Sequence, residues 1–261
     1  MCTSPRFLLA LIALAALSLA KIEVTTLDVD FSTYTSGSVD AFLDKNGLYA
    51  SEYSVPTTPL SHTFRASNVD IVDGTLRLKV DGQRGRGDVK SAEVGTQADN
   101  IRYGTFTTVA KLSNVPGVCA GFFTYTDDNH EIDIEALSSY YTGGYGYSVQ
   151  PGLQFTNQPL REGRHPTAAA VTYGFDPAAD FHNYTLVWTP SKSLFYVDGK
   201  HRRTFRRNVP SVAASFLWNA WSSGDVNWSA GPPKEDSYTL IREIHLAYTT
   251  AQSERVFAVN P

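Results

Sequence analysis

Cysteine is nearly missing from this 261-residue chain: there are two, and one of them is Cys2. Cys2 belongs to a distinct N-terminal stretch, where Arg6 precedes an unbroken apolar run from Phe7 to Leu17 and Ser18-Leu19-Ala20 offers small residues at a cleavage spacing. The run is too short to cross a bilayer comfortably, so residues 1–20 read as a secretory signal peptide removed near Ala20. Without Cys2, Cys119 has no intrachain partner, which excludes a disulfide framework and leaves stability to a large core. Set between Val118 and Ala120, Cys119 reads as a small buried hydrophobe, with no base beside it to make it a nucleophile.

Other absences narrow the function. No second long apolar run follows the leader, and Val256 to Pro261 lack the hydrophobic tail of a lipid-anchor signal, so no membrane partner is expected after processing. The formal net charge of −4 argues against a nucleic-acid partner, which would call for a concentrated basic face. The single basic stretch, Lys200, His201, Arg202, Arg203, Arg206 and Arg207, reads as a solvated edge strand guarded by charge. Repeats, heptads and long amphipathic helices are also lacking. The expected mature protein is a soluble, secreted monomer, and the glycosylation triplets at Asn183 and Asn227 fit that compartment.

What the chain does contain is short strand-like runs separated by Gly, Pro, Asn and Asp. Thr75 to Val80, Gly104 to Leu112, Tyr184 to Trp188 and Leu194 to Val197 are examples, and Asp73-Gly74 and Asp198-Gly199 are hairpin-turn pairs. Many short strands with frequent turns predict an all-β sandwich, and the lack of a linker predicts one domain over 21–261.

The most informative segment is Glu131-Ile-Asp-Ile-Glu135, which alternates acid and isoleucine. On a strand this puts Glu131, Asp133 and Glu135 on one face and Ile132 and Ile134 on the other. A merely solvated acidic face is the plain alternative. Yet three like charges about 7 Å apart, with no cation between them, repel one another and are a poor choice for stability alone. Glycoside hydrolysis uses such a set: two carboxyls flank the scissile bond, and a third group between them tunes their protonation. On a flat strand the outer two Cα atoms stand about 13 Å apart, whereas a retaining pair needs carboxyls about 5–5.5 Å apart, so a concave strand is expected. His130 adjoins the acids but points away by parity, so no metal site and no cofactor are expected.

At this motif the chain resembles glycoside hydrolase family 16, with its E-x-D-x-E strand. The resemblance extends to Ser91-Ala-Glu-Val94, Arg102-Tyr-Gly-Thr-Phe106, Gly121-Phe-Phe-Thr-Tyr125, Phe155-Thr-Asn-Gln-Pro159 and Asn219-Ala-Trp-Ser-Ser-Gly-Asp225. It implies a concanavalin-like β-jelly roll, two curved antiparallel sheets with an open groove. It also implies Glu131 as nucleophile, Glu135 as general acid/base and Asp133 as their assistant, with no bulge between Asp133 and Glu135. The implied activity is a retaining endo-β-glucanase of the β-1,3/1,4 type, acting on a β-glucan polysaccharide. The alternatives are a transglycosylase of wall glucan or chitin using the same residues, and a non-catalytic lectin.

Sugar contacts are expected from Trp221 and Trp228, with Trp188 and Trp218 in the core, and from Gln154, Asn157, Glu93 and Tyr125. Two departures bear on the substrate. Asn129-His130 stands where bacterial lichenases commonly have Trp-Asp, and their E-x-R-T reads Glu93-Val-Gly95-Thr96 here, without the Arg.

Overall fold

The structure, a computed structural model, describes residues 23–83, 85, 87–143 and 149–252; the expected leader at 1–20 lies outside them. In chain order the strands are β1 (Thr25–Asp30), β2 (Leu48–Ala50), β3 (Tyr53–Val55), β4 (His62–Phe64), β5 (Val69–Val72), β6 (Thr75–Val80), β7 (Val89–Thr96), β8 (Ile101–Lys111) and β9 (Cys119–Tyr125). They continue as β10 (Glu131–Leu137), β11 (Leu153–Asn157), β12 (Thr167–Val171), β13 (His182–Thr189), β14 (Lys192–Val197), β15 (Lys200–Phe205), β16 (Ser215–Trp221) and β17 (Ser237–Thr250). The α-helices described are short, α1 (Val39–Lys45) and α2 (Ser139–Thr142).

Two sheets face each other. One runs β15-β14-β13-β8-β17-β6-β5 with β1 added along β17; the other runs β12-β11-β10-β9-β16-β7-β4-β3 with β2 along β7. Among these pairings β4 and β7 are parallel, and the rest are antiparallel. The architecture is the expected all-β jelly-roll sandwich.

Strict alternation builds the layers. Leu76, Leu78 and Val80 of β6 point inward, as do Tyr184, Leu186 and Trp188 of β13, while their neighbours face out. Rings then join sheet to sheet. Phe155 of β11 stacks on Phe195 of β14 at 4.6 Å, and Phe106 of β8 on Phe216 of β16 at 4.8 Å. Such pairs contribute about 0.5–1.5 kcal/mol beyond the area they bury. Trp188 and Trp218 are fully buried, and each indole N–H finds an oxygen, Pro210 O at 3.0 Å and Thr108 Oγ1 at 2.7 Å.

Both hairpin-turn pairs carry positive φ at two successive residues, Asp73 (51°) with Gly74 (71°) and Asp198 (49°) with Gly199 (70°). That is the type I′ geometry whose twist matches antiparallel strands. β15 is an edge strand, as its charges suggest, and its register slips so that Phe195 faces Arg203 and Tyr196 faces His201. The extra residue, Arg202, kinks the edge and discourages pairing with another chain.

Candidate active site

β10 lies inside its sheet between β9 and β11, in continuous register from Glu131↔Tyr125 to Leu137↔Cys119. The strand therefore has no bulge between Asp133 and Glu135. Ile132 and Ile134 are buried at 0% and 2% exposure in the core. Burying each contributes about 1.5–3 kcal/mol, which holds the opposite face in place. On that face stand Glu131, Asp133 and Glu135. Register adds Cys119, Gly121, Phe123 and Tyr125 from β9, Leu217, Asn219 and Trp221 from β16, and Glu93 from β7.

The carboxylates sit where two lobes of a groove meet. One lobe, a cavity of ≈ 490 Å³, is lined by Tyr53, His62, Glu93, Phe123, Tyr125, Asn219 and Trp221 together with all three acids. The other, ≈ 390 Å³, is lined by Glu131, Glu135, Thr156, Gln158, Pro166, Ala168, Trp221 and Trp228. The floor needs Gly121: a Cβ there would come within 2.7 Å of Asn219 Oδ1 and intrude beside Glu135. Trp221 is braced by His62, stacked at 4.8 Å within the first lobe. Burial drives the His62 pKa down to about 4, so this brace is uncharged at neutral pH. A hollow of ≈ 460 Å³ on the outer sheet holds Tyr238 and Phe181, but Arg77 and Arg242 lie over those rings, and it contains none of the three carboxylates.

The protonation pattern follows from the neighbours. Burial raises the Asp133 pKa well above the carboxylate range, and the adjacent charges of Glu131 and Glu135 add to it. Burial also raises Glu131, to about 7, while a hydrogen bond from Asp133 pulls it down. Asp133 is raised further and donates in that bond, so Glu131 is the first of the two to ionise. The second Asp133 oxygen, Oδ2, accepts from Gln158 Nε2 at 3.0 Å. Glu135 is raised by burial too, and two donors oppose the rise. Cys119 Sγ (3.2 Å) and Trp228 Nε1 (3.1 Å) both donate to Oε1. Among the described residues no donor reaches Oε2, so that oxygen is the one placed to carry a proton.

The structure brings most of the expected residues together but corrects several assignments. Asn157 is opposite Ile132 on the core face, fully buried, with Nδ2 donating to Arg207 O at 3.0 Å; it cannot touch a sugar in the groove. Gln154 shares the face of Glu135, yet its amide N–H groups are used on Gln150 O and Gly152 O, and it lines neither lobe. Glu93 is on the floor at 2% exposure, its carboxylate held by Ser51 Oγ (2.7 Å) and Tyr53 OH (3.0 Å), so it fixes the wall more than it meets solvent. Tyr125 lines the first lobe with its hydroxyl on Asp128 Oδ1 at 2.9 Å. Trp221 lines both lobes, and Trp228 lines the second while bonding Glu135.

Cys119 is buried as expected, but it is not without a chemical neighbour: the base lies sixteen residues along the chain and one strand across. Burial, followed by the Glu135 charge, pushes its thiol well up, so it remains a neutral donor. Gln158, Tyr53 and His62 were missed, and Asn219, on the face of Trp221, was not counted among the sugar contacts. Parity offered a signal for Gln158, which follows Thr156 by two, and for Asn219, two before Trp221. His130 turns away from the acids, with Nδ1 on Asp127 Oδ1 at 2.9 Å.

The sequence model of glycosyl hydrolases family 16 matches residues 57–236. A beta-glucanase of Paenibacillus polymyxa is 28% identical over 183 residues, covering 63% of this chain and 66% of the relative. A probable xyloglucan endotransglucosylase/hydrolase of Arabidopsis thaliana is 33% identical over 183 residues, covering 61% and 54%. The chain thus spans about two thirds or less of the length of these curated relatives. Among solved structures, the Bacillus licheniformis beta-glucanase superposes with a TM-score of 0.64 at 23% identity, covering 86% of this chain and 98% of that one.

Proposed function

Because the chain belongs to glycosyl hydrolases family 16, we propose that it is a secreted, endo-acting, retaining β-glucan hydrolase with Glu131 as nucleophile and Glu135 as acid/base. The observation that carries this reading is the arrangement along β10: three carboxylates on one unbulged strand where the two groove lobes meet, Asp133 bonded to Glu131, and both donors to Glu135 on Oε1 with Oε2 left undonated. Glu131 attacks the anomeric carbon as Glu135 Oε2–H protonates the departing glycosidic oxygen, leaving a covalent glycosyl-enzyme. Glu135, now a carboxylate, takes a proton from water, which attacks the same carbon and frees Glu131. Two displacements restore the starting configuration. Groove lobes on both sides of the acids support cleavage within a chain rather than at its end.

The β-1,3/1,4 linkage is the preferred substrate reading, implied by the family resemblance of the Glu131–Glu135 strand, and the beta-glucanase relatives favour a β-glucan. At Gly95, however, a Cβ would come within 2.7 Å of Leu217 Cδ2 and the Tyr49 ring, so the side chain of an Arg has no room there as the site is arranged. Digests of laminarin, lichenan, xyloglucan and chitin oligomers are expected to give oligosaccharides from the first two, the β-anomer appearing first by NMR. An α-anomer as the initial product would overturn the mechanism, and cleavage of chitin oligomers alone would overturn the substrate. The Arabidopsis relative favours transglycosylation as the second reading. A labelled oligosaccharide acceptor distinguishes it, since transfer incorporates the label.

The donors on Glu135 give a pH prediction. Each stabilises the ionised carboxylate, so removing one raises its pKa and keeps the acid protonated to higher pH. Trp228→Phe and Cys119→Val are therefore expected to move the alkaline limb of kcat/KM upward, Trp228→Phe by more because N–H is the stronger donor. An unmoved limb in Trp228→Phe would show that Glu135 is not the group setting it.

A further inference from the structure

Five exposed arginines converge where the two sheets end on the β12 and β15 side. Arg161 and Arg164 lie in the connection between β11 and β12, Arg203 in β15, and Arg206 and Arg207 just after it. Two side chains stitch these segments together. Asn208 Nδ2 reaches His165 O (3.0 Å) and Thr167 Oγ1 (3.2 Å), and Asn157 Nδ2 reaches Arg207 O (3.0 Å). Arg202 ties β15 to the carbonyls of Thr172 and Tyr173, so the edge is anchored and not a loose tail.

Other surface arginines are paired: Arg65 with Glu52, Arg77 with Asp70, and Arg242 with Glu243. None of these five has an ion-pair partner among the described residues. Residues 158–167 hold one acid, Glu162, and residues 200–209 hold none, in a chain whose net charge is −4. Guarding a strand edge accounts for Arg203, but not for Arg161 and Arg164, which lie outside any strand. Clustered unpaired charge of one sign costs self-repulsion and creates a local field suited to a counter-charged partner.

The residue type narrows the partner. All five are arginine, whose planar fork meets a carboxylate or a phosphate with two parallel hydrogen bonds, unlike the point charge of lysine. The position narrows it further, because Pro166 and Ala168 of the second groove lobe border the same connection. We propose that this face binds a carboxylate-bearing polysaccharide, a uronan, and holds the protein beside an acidic glycan independently of what the groove cleaves. The inference goes beyond the hydrolase reading and needs no turnover to test.

The probe is polygalacturonate, measured by affinity electrophoresis at low ionic strength beside its carboxyl-reduced form. The intact protein is expected to be retarded by the acid polymer, released by salt, and indifferent to the reduced one. Replacing Arg161, Arg164, Arg206 and Arg207 by Glu is expected to weaken retardation by about tenfold or more. Thermal melting and turnover of a short neutral glucan are expected to stay unchanged in that variant. Substitution of the same four by Lys keeps the charge and is expected to bind more weakly than the wild type. Absence of retardation, equal retardation by DNA, or full binding by the Lys variant would each overturn the proposal. Loss of glucan cleavage in the wild type would instead count against the hydrolase reading and leave this one standing.

Discussion

Glu131→Ala is expected to lower kcat on β-glucan by about 10⁴-fold or more, because the covalent step loses its nucleophile. Azide is expected to restore part of it. The anion enters the space left by the side chain and attacks from the same side, giving a glycosyl azide of inverted, α configuration. Glu135→Ala has a different signature. Its loss, about 10²- to 10⁴-fold on polysaccharide, should shrink for an aryl glycoside whose leaving group needs no proton. Azide then attacks the glycosyl-enzyme from the opposite side and yields the β-azide. The two roles follow from the environments of the carboxylates: Glu131 receives the Asp133 hydrogen bond, and Glu135 has both donors on Oε1 and none on Oε2. NMR of the azide products checks the assignment, and the opposite pairing of variant with anomer would exchange the roles.

Much of this site was legible because a strand has period two. Five residues from Glu131 were enough to say which side chains face the groove, and the same parity separated Trp221 from Trp218. The pattern carries no information across strands, and the errors arose there. Asn157 was chosen together with Gln154, although residues three apart on a strand face opposite sides, and the pairing with Ile132 is what sends Asn157 to the core. Cys119 looked inert because its partner is sixteen residues away, and antiparallel pairing brings them within 3.2 Å. Tyr53 and His62 reach the groove from β3 and β4 at the far edge of the sheet, where β4 enters parallel to β7, a pairing no local turn announces. The basic run showed its edge strand plainly, yet its continuation into Arg161 and Arg164 depends on Asn208 crossing to His165. Periodic features were readable; contacts between distant segments were not.

Stability is expected to move opposite to activity when the acids are neutralised. Glu131 has its folded pKa raised to about 7 by burial, against about 4.3 for a free glutamate, and Asp133 is raised in the same direction. Between those limits the native state holds protons that the unfolded chain has released. The linkage contribution is therefore fully present below about pH 4 and is lost as pH rises through the folded pKa of Glu131. Glu131→Gln removes this loss and should stabilise the fold at pH 8 by on the order of 1–2 kcal/mol, the full shift being discounted because Glu131 is half-buried and partly solvated. That corresponds to a Tm higher by roughly 2–8 °C, with no gain near pH 4. Asp133→Asn should behave alike, since Asn donates to Glu131 and accepts from Gln158 as the protonated acid does. It cannot give up a proton, however, and kcat should fall by about 10²-fold with the groove intact. Melting curves of both variants from pH 4 to 8 check the sign. A lower Tm for Asp133→Asn at pH 8 would mean that Asp133 is ionised in the native protein, and the assignment of the proton along β10 would have to be reversed.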